Sequence, residues 1–376
     1  MRGDNKKFLN GTSILVGSCI GAGVLGIPYV AAKSGFLIAL AYIILIGTLI
    51  LIVNLYLGET ALRTKKNYQL PGLAEKYLGR KWKWLMSFAL IFGIYSAIVA
   101  YILGIGESLS FLFFGNNYYT TLFGIFVGFG MSGLLWKGIK GLKKYEKVGV
   151  AIILLLLIVI VVTFFNKINF SNLSSVNFEN ALLPFGVILF ALLSFSAIPE
   201  VNIVLTKNKN LMKKIIFSGV LISVVFYILF TFVVVGFKGF ATPEIATLAL
   251  GIIFILLGIF TMFTSYLALG NALEDDFKYD DKFKKRTAWF LSSIVPIFIF
   301  LLTRFFDFFS FTKILSIGGV VSGGLTGVLI LLMVRRAKIK GERKPEYSIP
   351  VNWFMIVFLS LIFIFGVVRE IILGLW

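Results

Sequence analysis

Within residues 17–29 the chain carries Gly17, Gly21, Gly23, Gly26 and Pro28 inside an otherwise apolar run. Each glycine costs a helix interior about 1 kcal/mol relative to alanine, and proline about 3. Two outcomes fit such a segment. The small residues can let a neighbouring helix pack closely, or the chain can unwind at its centre. In the unwound form one half-helix ends with free carbonyls near Gly17 and Ser18, and the next begins with free N–H groups near Ala22 and Gly23. Those ends carry partial negative and positive charge respectively, so a break of this kind holds opposite charges without any ionised side chain. A second apolar run, 181–205, repeats the pattern. Phe190, Ala191, Ser194 and Phe195 precede Ile198 and Pro199, as the glycines precede Ile27 and Pro28. Interrupted helices at matching places in two halves of a chain are the sequence sign of a transporter binding site.

The remaining chemistry is sparse. There is no histidine and one cysteine, Cys19, so histidine-dependent hydrolysis, histidine-bearing zinc sites and intrachain disulfides are excluded. The acidic residues are scattered, which argues against an enzyme. Of the 376 residues 59% are apolar, 14% are charged and 40 are phenylalanine; the mean hydropathy is +0.97. No water-soluble fold hides that much apolar surface, so the chain is read as one polytopic membrane domain, 1–376. Apolar runs place eleven helices at roughly 9–32, 36–58, 84–113, 119–136, 146–165, 181–205, 215–236, 246–273, 287–303, 312–334 and 351–374.

The basic residues test that list. The net charge is +19, yet no basic helix or basic-aromatic module of a nucleic-acid binder is present. Thirty of the 36 lysines and arginines fall in the N-terminus and the loops on one side of an eleven-span arrangement, and six on the other. The positive-inside rule then puts the N-terminus in the cytoplasm and the C-terminus outside. Because five is odd, spans 1–5 and 6–10 enter from opposite sides. This makes 9–165 and 181–334 an inverted repeat, with 351–374 as an added helix. Two loops are expected to fold: 70–79 as a short helix against the membrane face, and the stretch after Thr242, with Pro243 and Glu244, as a helix start. The acidic run Glu274, Asp275, Asp276, Asp280 and Asp281 is expected in a solvated loop.

The segment 17–29, Leu73-Ala-Glu-Lys-Tyr-Leu-Gly-Arg80, the stretch from Tyr95 to Glu107, Leu193-Ser-Phe-Ser-Ala-Ile-Pro199 and Phe263-Thr-Ser-Tyr-Leu267 resemble the bacterial tyrosine and tryptophan permeases. These belong to the amino acid/auxin permease branch of the amino acid–polyamine–organocation superfamily. The resemblance runs in order through spans 1–3, 6 and 8 and is weak over spans 9–11. It implies an all-α, five-plus-five inverted-repeat fold of the leucine-transporter type, with helices 1 and 6 broken, and ion-driven amino acid uptake. Where related eukaryotic carriers have histidine before Pro-Glu in span 6, this chain has Ile198.

The expected substrate site comprises Gly17, Ser18, Gly21, Ala22, Gly23, Tyr95, Phe190, Ala191, Ser194 and Phe195. The substrate carboxylate would meet N–H groups around Ala22 and Gly23, and its ammonium the carbonyls of Gly17, Ser18, Phe190 and Ala191. This lining is uncharged and favours neutral amino acids, with the resemblance pointing to large apolar or aromatic ones. Tyr95 and Tyr101 with Phe190 and Phe195 are expected to form an aromatic gate. Thr264 and Ser265, with carbonyls of Gly17 and Ile20, are candidates for a sodium site of the kind found between spans 1 and 8 in carriers of this fold. Glu59, Glu107 and Glu200 are the gating or proton-carrying alternatives. No cofactor beyond a coupling ion is expected. The reading is of a cell-membrane carrier acting as a monomer, with an amino acid and the lipid bilayer as partners. A non-transporting sensor of the same fold, or a channel, is the alternative; no filter-like ring for a channel is present.

Overall fold

A backbone amide in hydrocarbon finds no water, so apolar runs of this length satisfy their hydrogen bonds within themselves as helices. In the computed structural model the described residues are 2–21, 23–137, 142–206, 208–279, 283–306 and 309–374, and all regular structure among them is helical. Span 1 consists of two helices, Arg2–Cys19 and Gly23–Ser34, which meet at 53°. Spans 2 to 5 are Phe36–Leu62, Arg80–Phe114, Thr120–Lys137 and Leu142–Phe164. Span 6 is again two helices, Pro184–Leu192 and Ala197–Leu205. Spans 7 and 8 are Met212–Lys238 and Ile252–Tyr279. Spans 9, 10 and 11 run over Lys285–Phe305, Phe311–Lys340 and Trp353–Gly374. Among the described residues ten helices are long and apolar enough to cross a membrane, and the bent pair of span 1 makes eleven.

The helices sort into two packing groups around the breaks. The first half of span 1 lies against span 7 and the second half of span 6, while its second half lies against span 2, span 7 and the first half of span 6. Span 3, 35 residues long, packs instead with spans 4, 8 and 10. Spans 4, 5 and 11 turn large apolar side chains outward, among them Phe126, Leu155, Val162 and Phe354, which is the bilayer-facing surface of a membrane bundle. Spans 9 and 10 each contain one π-helical stretch, Phe290–Ile294 and Gly319–Gly323. The second lets span 10 nest on span 6. A Cβ at Gly319 would overlap the Gly186 carbonyl oxygen and lie 2.7 Å from the Phe190 nitrogen, so no larger residue fits that approach.

The helix expected at 70–79 is present as Leu70–Leu78, with Leu70, Leu73, Ala74 and Tyr77 buried. Two loop expectations are corrected. The stretch after Thr242 does not begin a helix at Pro243. Glu244 instead accepts hydrogen bonds from the Thr312 backbone N–H (3.0 Å) and hydroxyl (3.2 Å), capping the start of span 10. The acidic run is not a loop at its beginning either, because span 8 continues to Tyr279. Glu274, 3% exposed, is buried there and pairs with Lys278 one turn on. Asp280 and Asp281 lie outside the described residues.

Candidate functional site

The two breaks meet. A Cβ on Gly23, the first residue of the second half of span 1, would sit 2.5 Å from the Ala191 Cα and 2.6 Å from its Cβ. Ala191 is one residue from the end of the first half of span 6. On its other side the unwound stretch faces span 3, where a Cβ at Gly21 would lie 3.0 Å from the Tyr101 hydroxyl. The backbone of span 1 leaves its helical ladder just after Ile20: the Ile20 N–H still bonds to Val16 O four residues back, but the Gly21 N–H turns to Cys19 O. Gly17 O is therefore without a backbone donor among the described residues. In span 6 the Leu193 N–H closes on Phe190 O, and the Ala197 and Ile198 N–H groups close on Ser194 O and Phe195 O.

Buried side chains knit these ends together. Tyr227 of span 7 brings its hydroxyl 2.6 Å from Cys19 O and 2.8 Å from Ala191 O, touching both half-helix ends. Leu192 O receives the Ser194 hydroxyl at 3.3 Å and the Cys19 thiol at 3.8 Å. Asn54 of span 2 donates its amide to the Ser194 hydroxyl at 2.9 Å. Asn54, Ser194, Cys19 and Tyr227 are all at most 2% exposed, and none carries a formal charge. Beside the break, a largely apolar cavity of about 60 Å³ lies among Ile20, Gly21, Phe226, Thr247, Phe254 and Thr261. Drug-sized ligands take roughly 300–1,000 Å³, so a large amino acid enters only if the helices around the break part. Spans 8 and 10 pack against small residues of spans 3 and 1 near the break. Phe311 and Met262 pack at Gly104 of span 3, while Leu315 and Thr312 pack at Gly26 of span 1.

The structure brings together Gly21, Gly23, Ala191 and Ser194, with Phe195 buried at the bend of span 6. Ala22 lies outside the described residues. Ser18 is exposed and Gly17 half-buried, one turn before the break. Phe190 is half-buried beneath span 10, within 3.3 Å of where a Cβ on Gly318 would be. Tyr95 lies elsewhere: its hydroxyl donates to Leu291 O at 2.9 Å, and its ring packs with residues of spans 8 and 9. Six residues further on, nearly two helical turns, Tyr101 is the span-3 tyrosine that faces the break. Among the candidate ion ligands, the Thr264 hydroxyl bonds back to Phe260 O and Thr261 O on its own helix, and Ser265 is half-buried. It is Thr261 that shares the cavity with Ile20.

The three acidic candidates part company as well. Glu59, fully buried at the end of span 2, accepts from Arg63 (2.8 Å), Lys338 (2.9 Å), the Ser348 hydroxyl (2.9 Å) and the Ile349 N–H (2.8 Å). Nearby, the Tyr347 hydroxyl donates to Leu55 O and the Tyr56 hydroxyl to Pro350 O. Glu59 thus ties span 2 to span 10 and to the segment entering span 11, away from the breaks. Glu107 accepts from the Asn117 amide at 2.8 Å near the opposite face. Glu200 sits in the first turn of the second half of span 6. Sequence reasoning did not find Asn54 or Tyr227. The legible signal was a polar or hydroxyl-bearing residue at mid-depth of an apolar span, where it must find a partner.

The sequence profile of the tryptophan/tyrosine permease family matches residues 4–245. The chain is 26% identical over 228 residues to the tyrosine-specific transport system 1 of Haemophilus influenzae, covering 59% of this chain and 56% of that protein. It is 22% identical over 238 residues to glutamine transporter 2 of Aliivibrio fischeri, covering 62% and 61%. The matched part thus spans less than two thirds of either relative. Among solved structures, MhsT in complex with L-phenylalanine superposes with a TM-score of 0.67, at 15% identity and over 98% of both chains. That likeness concerns the fold, the leucine-transporter-type inverted repeat with broken helices 1 and 6.

Proposed function

Because the chain belongs to the tryptophan/tyrosine permease family, we propose that it is a secondary active transporter. In this reading it imports neutral amino acids, large apolar or aromatic ones foremost, by alternating access. The observation that carries it is the meeting of two half-helix ends at Gly23, Ala191 and Tyr227. N–H groups opening the second half of span 1 offer positive charge to a carboxylate, and the carbonyls closing the first halves of spans 1 and 6 offer negative charge to an ammonium. These are the two groups that all α-amino acids share. The uncharged side chains around the breaks argue for a neutral substrate, since a charged one would be desolvated there without a partner. The 30-to-6 partition of basic residues supports a cytoplasmic N-terminus and an external C-terminus in the cell membrane.

An inward sodium or proton gradient drives uptake. Sodium would draw on Gly17 and Ile20 carbonyls with Thr264 and Ser265; the Gly17 carbonyl, without a backbone donor among the described residues, supports this reading. Competition for uptake tests the substrate class: unlabelled tyrosine, tryptophan or leucine should displace labelled substrate, and glutamate and lysine should not. If either charged amino acid outcompeted every neutral one, the class would be wrong. The ion is tested at matched pH. A sodium gradient should raise uptake, and Thr264→Ala with Ser265→Ala should remove the effect. Accumulation driven by a pH gradient in sodium-free buffer would assign the proton instead.

A further inference from the structure

Two helix ends converge on one phenol. Tyr227 Oη lies 2.6 Å from Cys19 O and 2.8 Å from Ala191 O, yet a phenol carries a single proton to donate. Cys19 O also accepts the Gly21 N–H at 3.0 Å. Among the described residues no backbone N–H reaches Ala191 O. The single proton of Tyr227 therefore serves only one of the two carbonyls at a time, and the other faces the phenol oxygen with spare acceptor capacity.

That arrangement leaves three oriented acceptors at one point. A carbonyl oxygen has two lone pairs, so Cys19 O and Ala191 O each keep capacity after accepting one bond. The phenol oxygen, having given its proton away, is itself an acceptor. Both carbonyls are also the negative ends of helices. Three acceptors in partial negative charge, in a site without a charged side chain, match the three N–H donors of a primary ammonium.

We propose that Tyr227 is a positioning residue for the substrate's α-ammonium. It holds the Cys19 and Ala191 carbonyls at one point and completes their acceptor set, and so sets the preference for a free amine over an analogue lacking it. The inference rests on the amino acid transport reading above, in which Tyr227 marks where the half-helix ends meet but takes no part in recognising the substrate.

The test compares affinities of the purified full-length protein for a large neutral amino acid and for its deaminated carboxylate analogue, wild type against Tyr227→Phe. Wild-type protein that binds no neutral amino acid contradicts the transport reading and the inference with it. Given wild-type binding, Tyr227→Phe should lower amino acid affinity about 10- to 100-fold, the range of one hydrogen bond to a charged group, while the analogue's affinity changes little. A fall of equal size for both ligands would assign Tyr227 to packing alone and overturn the inference, as would an unchanged ratio. Should Tyr227→Phe fail to fold, 3,5-difluorotyrosine at 227 keeps the shape but weakens the oxygen as an acceptor. The amine preference should then fall several-fold, and an unaltered preference would overturn the proposal.

Discussion

Replacing Gly23 by alanine tests whether the two breaks function as one site. The new Cβ would stand 2.5 Å from the Ala191 Cα, 2.6 Å from its Cβ and 3.1 Å from its nitrogen, where ordinary contact begins near 3.4 Å. Two of those three atoms are backbone, so no rotamer change relieves them. The halves of spans 1 and 6 must separate by roughly 1 Å, and overpacking of this kind costs about 1–3 kcal/mol. A displacement of about 1 Å in a preorganised site costs on the order of 100-fold. Gly23→Ala should therefore lower the melting temperature by several degrees in detergent and weaken amino acid binding about 100-fold in an equilibrium assay. Ala191→Gly in the same chain takes away the methyl group that the new Cβ strikes but leaves the backbone of residue 191 in its path, so the double variant should recover only part of the loss. If Gly23→Ala melted and bound as wild type does, the close approach of the two breaks would be wrong, and with it the shared site.

Tyr95→Phe removes the hydrogen bond to Leu291 O; it should lower stability by about 0.5–1.5 kcal/mol and leave substrate affinity unchanged, and a large affinity loss would return Tyr95 to the site. Glu59→Gln strips the charge that holds Arg63 and Lys338, whose side chains are 16% and 23% exposed. The expected loss is about 3 kcal/mol, the low end for a broken buried pair because both cations keep some solvent. A stable variant that had lost only response to a pH gradient would identify Glu59 as a proton carrier instead. At the face carrying the N-terminus, Lys7 donates to Thr206 at 3.0 Å and Asn208 at 2.7 Å, and Asn208 donates to Asp4. Lys7→Ala and Asn208→Ala should each free the first half of span 1, seen as faster alkylation of Cys19 by a membrane-permeant maleimide; rates equal to wild type would rule out that clamp.

The spans were legible because the signal is redundant: apolar length and the placement of basic residues depend on different physics and give the same list. The break of span 1 was legible through Gly17, Gly21 and Gly23, whose helix penalties are local, and that of span 6 through Ser194 and its small neighbours; Pro28 itself lies inside the second helix of span 1. Side-chain direction was not. Tyr95 and Tyr101 lie on one helix less than two turns apart, and their facing depends on how span 3 is rotated against spans 1 and 8, a property of the packed bundle. Glu59 looked like an intramembrane charge with a gating or proton-carrying task, because its partners Lys338, Ser348 and Ile349 lie almost 300 residues away. Tyr227 was hidden for the same reason. A tyrosine in an aromatic-rich chain signals nothing until two distant carbonyls are seen to converge on it.

Counterflow in proteoliposomes isolates carrier-mediated exchange of a neutral amino acid from every other membrane event. Proteoliposomes of the purified protein are loaded with unlabelled tyrosine or leucine and diluted into trace labelled substrate with no ion gradient. A carrier gives a transient overshoot of internal label above its equilibrium level, abolished by Gly23→Ala or by omitting the internal amino acid. Substrate binding without any counterflow, for every neutral amino acid tried, would make the protein a sensor and not a carrier.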